Sequence, residues 1–219
     1  MKKILITGTT SGLGKSLYKI YSNNHSVYTI NRKDCDLSDL SQVSSYVKTV
    51  CKNIDHFEYV FLNAGMLGDL KKINEIDIKE YKKIFDVNVW SNKIIIDYLI
   101  QNNKAKKVIG ISSGAAIKTY FGWSLYCSSK AAFKQMLSCY NQECTDIEFL
   151  SLAPGVIKTK MQDYIKTIDF KQVPSVKKFQ DMYPKLPTPE ECAYKIYNNI
   201  DLCFSKSKDS YFDIRNLDE

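Results

Sequence analysis

The stretch Lys3–Gly14, KILITGTTSGLG, decides the fold. Lys3–Thr7 is a short apolar run, and Leu13–Tyr21 carries apolar residues at helical spacing, so the segment is predicted as strand, turn and helix. Gly8, Gly12 and Gly14 let the backbone turn tightly and approach a pyrophosphate with no Cβ in the way. Thr10, Ser11 and Leu13 complete the turn, and the helix after it offers free N–H groups and its positive dipole end to that phosphate. The spacing Gly-x-x-x-Gly-x-Gly differs from the G-x-G-x-x-G dinucleotide fingerprint. Gly14-Lys15-Ser16 imitates the end of a P-loop. However, five residues rather than four separate Gly8 from Gly14, which sets nucleoside triphosphate hydrolysis aside.

Outward from this turn, short apolar runs alternate with amphipathic stretches. Strands are expected at 26–30, 59–62, 107–111, 147–152 and 211–214, with helices at 13–21, 40–51, 79–100, 125–144 and 189–199. The 40–51 helix is expected to start near Asp36 or Ser38, and the 79–100 helix to bend near Asn88. Such alternation implies a doubly wound α/β fold with a parallel sheet, and strands buried on both faces read as continuous apolar runs. Between the second strand and Asp36 there is no room for a crossover helix, which needs a dozen or more residues. The strand beyond the second is therefore expected to be absent or vestigial, leaving about six. One dinucleotide-binding domain is expected over 1–219. Residues 160–188 have no clear period and hold three of the five prolines, so they are expected to form a substrate-covering lid.

Bulk properties exclude several classes. At 219 residues the chain suits one α/β domain. No apolar run reaches the roughly 18 residues that span a bilayer. The apolar part of the N-terminal MKKILITG is too short for an export signal, so a cytoplasmic location is expected. Seven irregularly spaced cysteines without a Cys-x-x-Cys pair argue against a zinc site or a disulfide framework. The net charge of +7 raises nucleic-acid binding. Yet the lysines are scattered among 24 acidic residues, with no aromatics interleaved with arginine to stack on bases, so no nucleic-acid partner is expected.

The end of the second strand bears on the ribose chemistry. An acid there would bind both ribose hydroxyls and repel a 2′-phosphate. This chain has Asn31-Arg32-Lys33, and an arginine forks onto phosphate, so NADP(H) is favoured over NAD(H). Asp34 supplies a nearby carboxylate, so the choice turns on strand register. Farther on, Tyr126 and Lys130 stand four apart on one helix face, just after a strand ending in Ser112-Ser113. Ligands of such sheets bind at the carboxyl ends of strands. A tyrosine there can pass a proton to a carbonyl oxygen. Its ordinary pKa near 10 falls if an ammonium group stands beside it.

These motifs, in this order, resemble the short-chain dehydrogenase/reductase family along nearly the whole chain. The matches are Thr7-Gly8-x-x-x-Gly12-x-Gly14, Asp36-Leu37, Asn63-Ala64-Gly65, Asn88-Val89, Ser113, Tyr126-x-x-x-Lys130, Pro154-Gly155 and Thr159. The family spacing to Tyr126 selects Ser113 over Ser112. The resemblance implies Tyr126 as general acid and base, Lys130 on the nicotinamide ribose lowering the Tyr126 pKa, and Ser113 orienting the substrate oxygen. Asn88 would hold a water linking Lys130 to solvent. Asn63, Ala64 and Gly65 would line the adenosine side, with Asp36 and Leu37 at the adenine. Pro154, Gly155, Val156, Ile157 and Thr159 would approach the nicotinamide.

The function so implied is hydride transfer between NADP(H) and a small carbonyl or alcohol substrate. The alternatives are a non-catalytic dinucleotide-binding regulator, or an epimerase or dehydratase acting through transient oxidation. Trp123 is expected at the pocket mouth, where an aromatic wall suits a ring. The resemblance also implies a homodimer or homotetramer paired through the two long helices. The chain departs from the family at Ser91, which stands for a glycine, and in the Tyr211–Arg215 segment, which bears on the tetramer contact.

Overall fold

The computed structural model describes residues 1–217. Residues 218 and 219 of the expected domain lie outside the described residues. Six strands form one parallel sheet in the order β2-β1-β3-β4-β5-β6. They are β1 (Lys3–Thr7), β2 (Ser26–Ile30), β3 (Phe57–Leu62), β4 (Ala105–Ile111), β5 (Glu148–Ala153) and β6 (Tyr211–Asp213). The helices are α1 (Gly12–Ser22), α2 (Leu40–Cys51), α3 (Ile78–Phe85), α4 (Ser91–Gln101), α5 (Ser124–Glu143), α6 (Lys160–Thr167), α7 (Val176–Met182) and α8 (Pro189–Lys206). The doubly wound α/β fold is as expected. β2 is the edge strand, because the chain after it only turns: the amides of Asp34 and Cys35 both donate to the Asn31 carbonyl.

Strand residues divide between the two faces with a period of two. Ile4, Ile6, Tyr59 and Phe61 pack with α1 and α8, while Leu5, Val60 and Leu62 pack with α2, α4 and α5; Phe57, at the start of β3, breaks the alternation and joins the second group. Each fully buried large side chain contributes about 1.5–3 kcal/mol. Gly110 sets how closely α5 lies on β4. A Cβ there would come 2.5 Å from Leu137 Cδ1 and 2.6 Å from Phe133 Cε1, so only glycine admits this approach. That contact positions the α5 face carrying Tyr126 and Lys130 over the end of β4.

Two local expectations need correction. Helix α2 is capped by Asp39, not by Asp36 or Ser38: the Asp39 carboxylate accepts from the amides of Ser41 and Gln42. Asp36 instead accepts from the amide and hydroxyl of Ser38. The 79–100 helix, by contrast, is present with its irregularity near Asn88 as expected: α3, one π-helical turn over Asp86–Trp90 and α4 follow one another, with the Ser91 amide reaching back to the Asp86 carbonyl. Residues 160–188 are not structureless, since they hold α6 and α7. Helices this short make too few turns to show a period.

Candidate active site

The turn after β1 is braced from both sides. Asn31 Oδ1 accepts from the Thr9 amide and hydroxyl at 2.8 and 2.9 Å. Asn63 Nδ2 donates to the carbonyls of Thr7 and Gly8, and Thr7 Oγ1 accepts from the amides of Asn63 and Ala64. Gly14 sits inside this brace. A Cβ there would lie 2.2 Å from the Gly8 carbonyl oxygen and 2.3 Å from Asn63 Nδ2. Gly14→Ala is therefore expected to destabilise the fold by about 1–3 kcal/mol and to abolish nucleotide binding. The midpoint of urea unfolding and a binding titration check this.

The start of α1 fits an anion. Helices α2, α3 and α8 are capped by the side chains of Asp39, Asp77 and Thr188. At α1, Ser11 makes no side-chain cap bond and no acid stands in the first turn. The first N–H groups of α1 are thus left to a negatively charged partner. A dinucleotide pyrophosphate matches that requirement.

A cleft of about 570 Å³ begins here and runs along the carboxyl ends of the strands. Gly8, Thr10, Ser11, Leu13, Arg32, Asp36, Leu37, Asn63, Ala64 and Gly65 line its first part. Ser113, Tyr126, Lys130, Pro154, Gly155, Val156, Ile157 and Thr159 line the remainder. Gly12, Gly14, Asn31 and Asn88 do not line it: the glycines shape the turn and the two asparagines brace it from behind. The exposed Asp34 is also outside the lining, whereas Arg32 is in it. Asp36 is held below the usual carboxylate range by its Ser38 hydrogen bonds, then by the charges of Arg32 and Lys83.

The reactive end is built by β4 and α5. Ser113 follows β4, and its Oγ accepts from the Ala115 amide at 3.1 Å, so its own proton remains free to donate. Tyr126 and Lys130 share one face of α5, with Lys130 Nζ 5.7 Å from the Tyr126 ring centroid. Lys130 is buried and donates to the Ile111 carbonyl at 2.7 Å. Asn88 lies in the π-helical turn. Its side chain ties the Met66 amide and carbonyl to Ser129 Oγ, next to Lys130. Its carbonyl, expected to hold a water, already accepts from Asn92 Nδ2 at 2.9 Å.

In the protein alone, burial governs the Tyr126 phenol. Burial pushes the phenol up to about 12, and the Ser113 hydroxyl opposes it only in part. The same burial pulls Lys130 down to about 8 from an ordinary 10.5, and its ammonium is turned to the Ile111 carbonyl. Between those two pH values the unfolded chain binds more protons than the folded one, so this group makes stability rise with pH. Relative to Lys130→Met, the wild type is expected to gain roughly 3 kcal/mol between about pH 8 and 10.5. Urea unfolding of both proteins across that range measures the difference.

Beyond the expected set, the cleft is lined by Ser38, Lys83, Gln162, Asp213 and Arg215. Arg215 forks onto Asp213 through Nε and Nη2 at 2.8 and 2.5 Å. Only the pairing of β6 with β5 brings them to the cleft, and no spacing in the sequence shows that. Tyr120, Trp123 and Phe179 form an aromatic wall, with Phe179 4.8 Å from Trp123 and 5.3 Å from Tyr120 between ring centroids. Among the described residues no group of three or more His, Cys, Asp or Glu could hold a metal ion. Nor is any helix among them long and apolar enough to cross a membrane.

Comparisons with known proteins agree with this geometry. The family profile described as short chain dehydrogenase matches residues 2–168. A benzil reductase ((S)-benzoin forming) of Saccharomyces cerevisiae is 30% identical over 197 residues, covering 75% of each chain. A benzil reductase ((S)-benzoin forming) of Bacillus subtilis is 27% identical over 208 residues, covering 83% of this chain and 85% of the relative. A solved short chain dehydrogenase/reductase from Saccharomyces cerevisiae shares the fold with a TM-score of 0.83 and 22% identity, over 98% of this chain and 96% of that one. An α1 start that suits a pyrophosphate, a cleft leading from it to Tyr126, and these matches give one assignment: the chain belongs to the short chain dehydrogenase family of NAD(P)(H)-binding oxidoreductases.

Proposed function

We propose that the chain is an NADP(H)-dependent carbonyl reductase acting on small aromatic ketones, with 1,2-diketones such as benzil among its substrates. The observation that carries the proposal is one continuous cleft joining Arg32 and the uncapped start of α1 to Ser113, Tyr126 and Lys130. Arg32 offers a fork to a 2′-phosphate; Asp34 lies outside the cleft, and the Asp36 carboxylate within it is already engaged by Ser38. The aromatic wall of Tyr120, Trp123 and Phe179 suits aryl rings, and two relatives are named benzil reductases.

NADPH, when bound, would supply the hydride that the carbonyl carbon accepts. The protein supplies the proton and its placement. Tyr126 donates from its phenol to the substrate oxygen, and at about 12 the phenol stays protonated at neutral pH. Ser113 Oγ donates to the same oxygen, its lone pair being oriented by the Ala115 amide. Lys130 binds the nicotinamide ribose, and its positive charge favours the phenolate left behind. Asn88 acts as a positioning residue by fixing the loop after β3 to α5 beside Lys130. Helices α6 and α7 cover the substrate and exclude water, held down where Phe179 packs on Trp123.

Purified protein with NADPH and a panel of aryl ketones, including benzil, tests this. Ketone-dependent NADPH oxidation, faster than with NADH, supports the proposal. Binding of NADPH with no turnover across the panel counts against it.

A further inference from the structure

The substrate end of the cleft contains polar atoms that the chain leaves unpartnered. Gln162, on α6, lines the cleft and is only 8% exposed, yet its Oε1 has no hydrogen-bond partner. The indole Nε1 of Trp123, on the same cleft, is also buried without a partner. A buried polar group left unsatisfied costs about 1–3 kcal/mol. An apolar side chain at either place would avoid that cost. The buried Asn31 and Asn88 and the half-buried Asn63 each make two or more hydrogen bonds with the chain. Asn92 Oδ1 is also buried without a partner, but Asn92 lies outside the cleft, whereas Gln162 lines it.

Resting on the carbonyl-reductase reading above, we propose that Gln162 is a specificity-determining residue. Its amide binds a second oxygen adjacent to the reacting carbonyl, and so selects vicinal dicarbonyl and hydroxyketone substrates over simple ketones. A planar amide turns about its terminal bond to present either group: Nε2 donates to a second carbonyl such as that of benzil, and Oε1 accepts only from a hydroxyl. The Trp123 indole N–H offers a second donor beside the aromatic wall. Tyr126 and Ser113 engage the reacting oxygen, which leaves the neighbouring oxygen for Gln162.

The test compares benzil with deoxybenzoin, which carries the same two rings and lacks only the second oxygen. It uses the wild-type holoprotein, Gln162→Leu and Gln162→Met, two apolar replacements of different shape. Both variants are expected to raise the KM for benzil about tenfold with kcat held, because the lost contact is equally present in ground and transition states. Deoxybenzoin kinetics and NADPH affinity stay unchanged. The melting temperature is unchanged or raised, since an unsatisfied group has been removed. Equal losses on both ketones, or a lowered melting temperature, would assign Gln162 a structural role and overturn the proposal. Unchanged benzil kinetics in both variants would overturn it too. A wild type that reduces neither ketone sinks the carbonyl-reductase reading and this inference together. A wild type that reduces both, with variants that do not discriminate, sinks the inference alone.

Discussion

Tyr126→Phe is expected to lower kcat for ketone reduction by about 10²- to 10⁴-fold while leaving NADPH binding and stability intact. The phenol is buried, and the group that bears most directly on its hydroxyl is Ser113. Removing the hydroxyl therefore leaves no charged group stranded. What is lost is the proton donor to the substrate oxygen, an interaction made fully only as charge develops there. For that reason kcat and kcat/KM are expected to fall together. The direction of the reaction should show in its pH dependence. Reduction needs the protonated phenol and oxidation needs the phenolate. With the phenol near 12 in the protein alone, alcohol oxidation should climb as pH rises, while reduction holds across the neutral range. Steady-state rates in both directions check this.

Arg32→Asp is expected to weaken NADPH binding by about 10²-fold, the equivalent of losing a charge-assisted hydrogen-bonded pair of about 3 kcal/mol. NADH binding should hold or improve, because a carboxylate at the end of β2 accepts hydrogen bonds from both ribose hydroxyls. The surroundings make the swap clean. Asn31 is occupied by Thr9, and Asp36 is engaged by Ser38, so neither can take over from Arg32. Salt should erode the wild-type preference, since Arg32 is exposed. Fluorescence titration of each protein with NADPH and NADH at two salt concentrations measures all three effects. Equal loss of both nucleotides in the variant would mean that Arg32 supports the turn rather than reading the phosphate.

Much of this architecture was legible because the relevant physics is local. Strands buried on both faces are continuous apolar runs, as in Ile4–Ile6 and Val108–Ile111. The glycines after β1 announce a close approach that the Gly14 contacts explain. Tyr126 and Lys130 were placed on one helix face by spacing alone. What was not legible depends on packing. The sequence points to a bend near Asn88 but not to its π-helical form, which carries no composition signal. Asn31, Gly12 and Gly14 do not line the cleft; the glycines shape the turn that does, and Asn31 braces it through Thr9. Asp213 and Arg215 reach the cleft only because β6 pairs with β5. The rise that burial imposes on the Tyr126 phenol likewise follows from packing, whereas its charged neighbour Lys130 is legible from spacing. Gln162 gave no signal at all, since its interest lies in lacking a partner.

The central claim is that this chain binds NADPH and delivers its hydride to a carbonyl through Tyr126. One measurement tests it most directly: NADPH oxidation by purified protein, followed with and without benzil, in the wild type and in Tyr126→Phe. Benzil-dependent oxidation in the wild type, nearly abolished in a variant that still binds NADPH, is the expected result. Wild-type protein that consumes no NADPH, or a variant that consumes it as fast as the wild type, would contradict the claim.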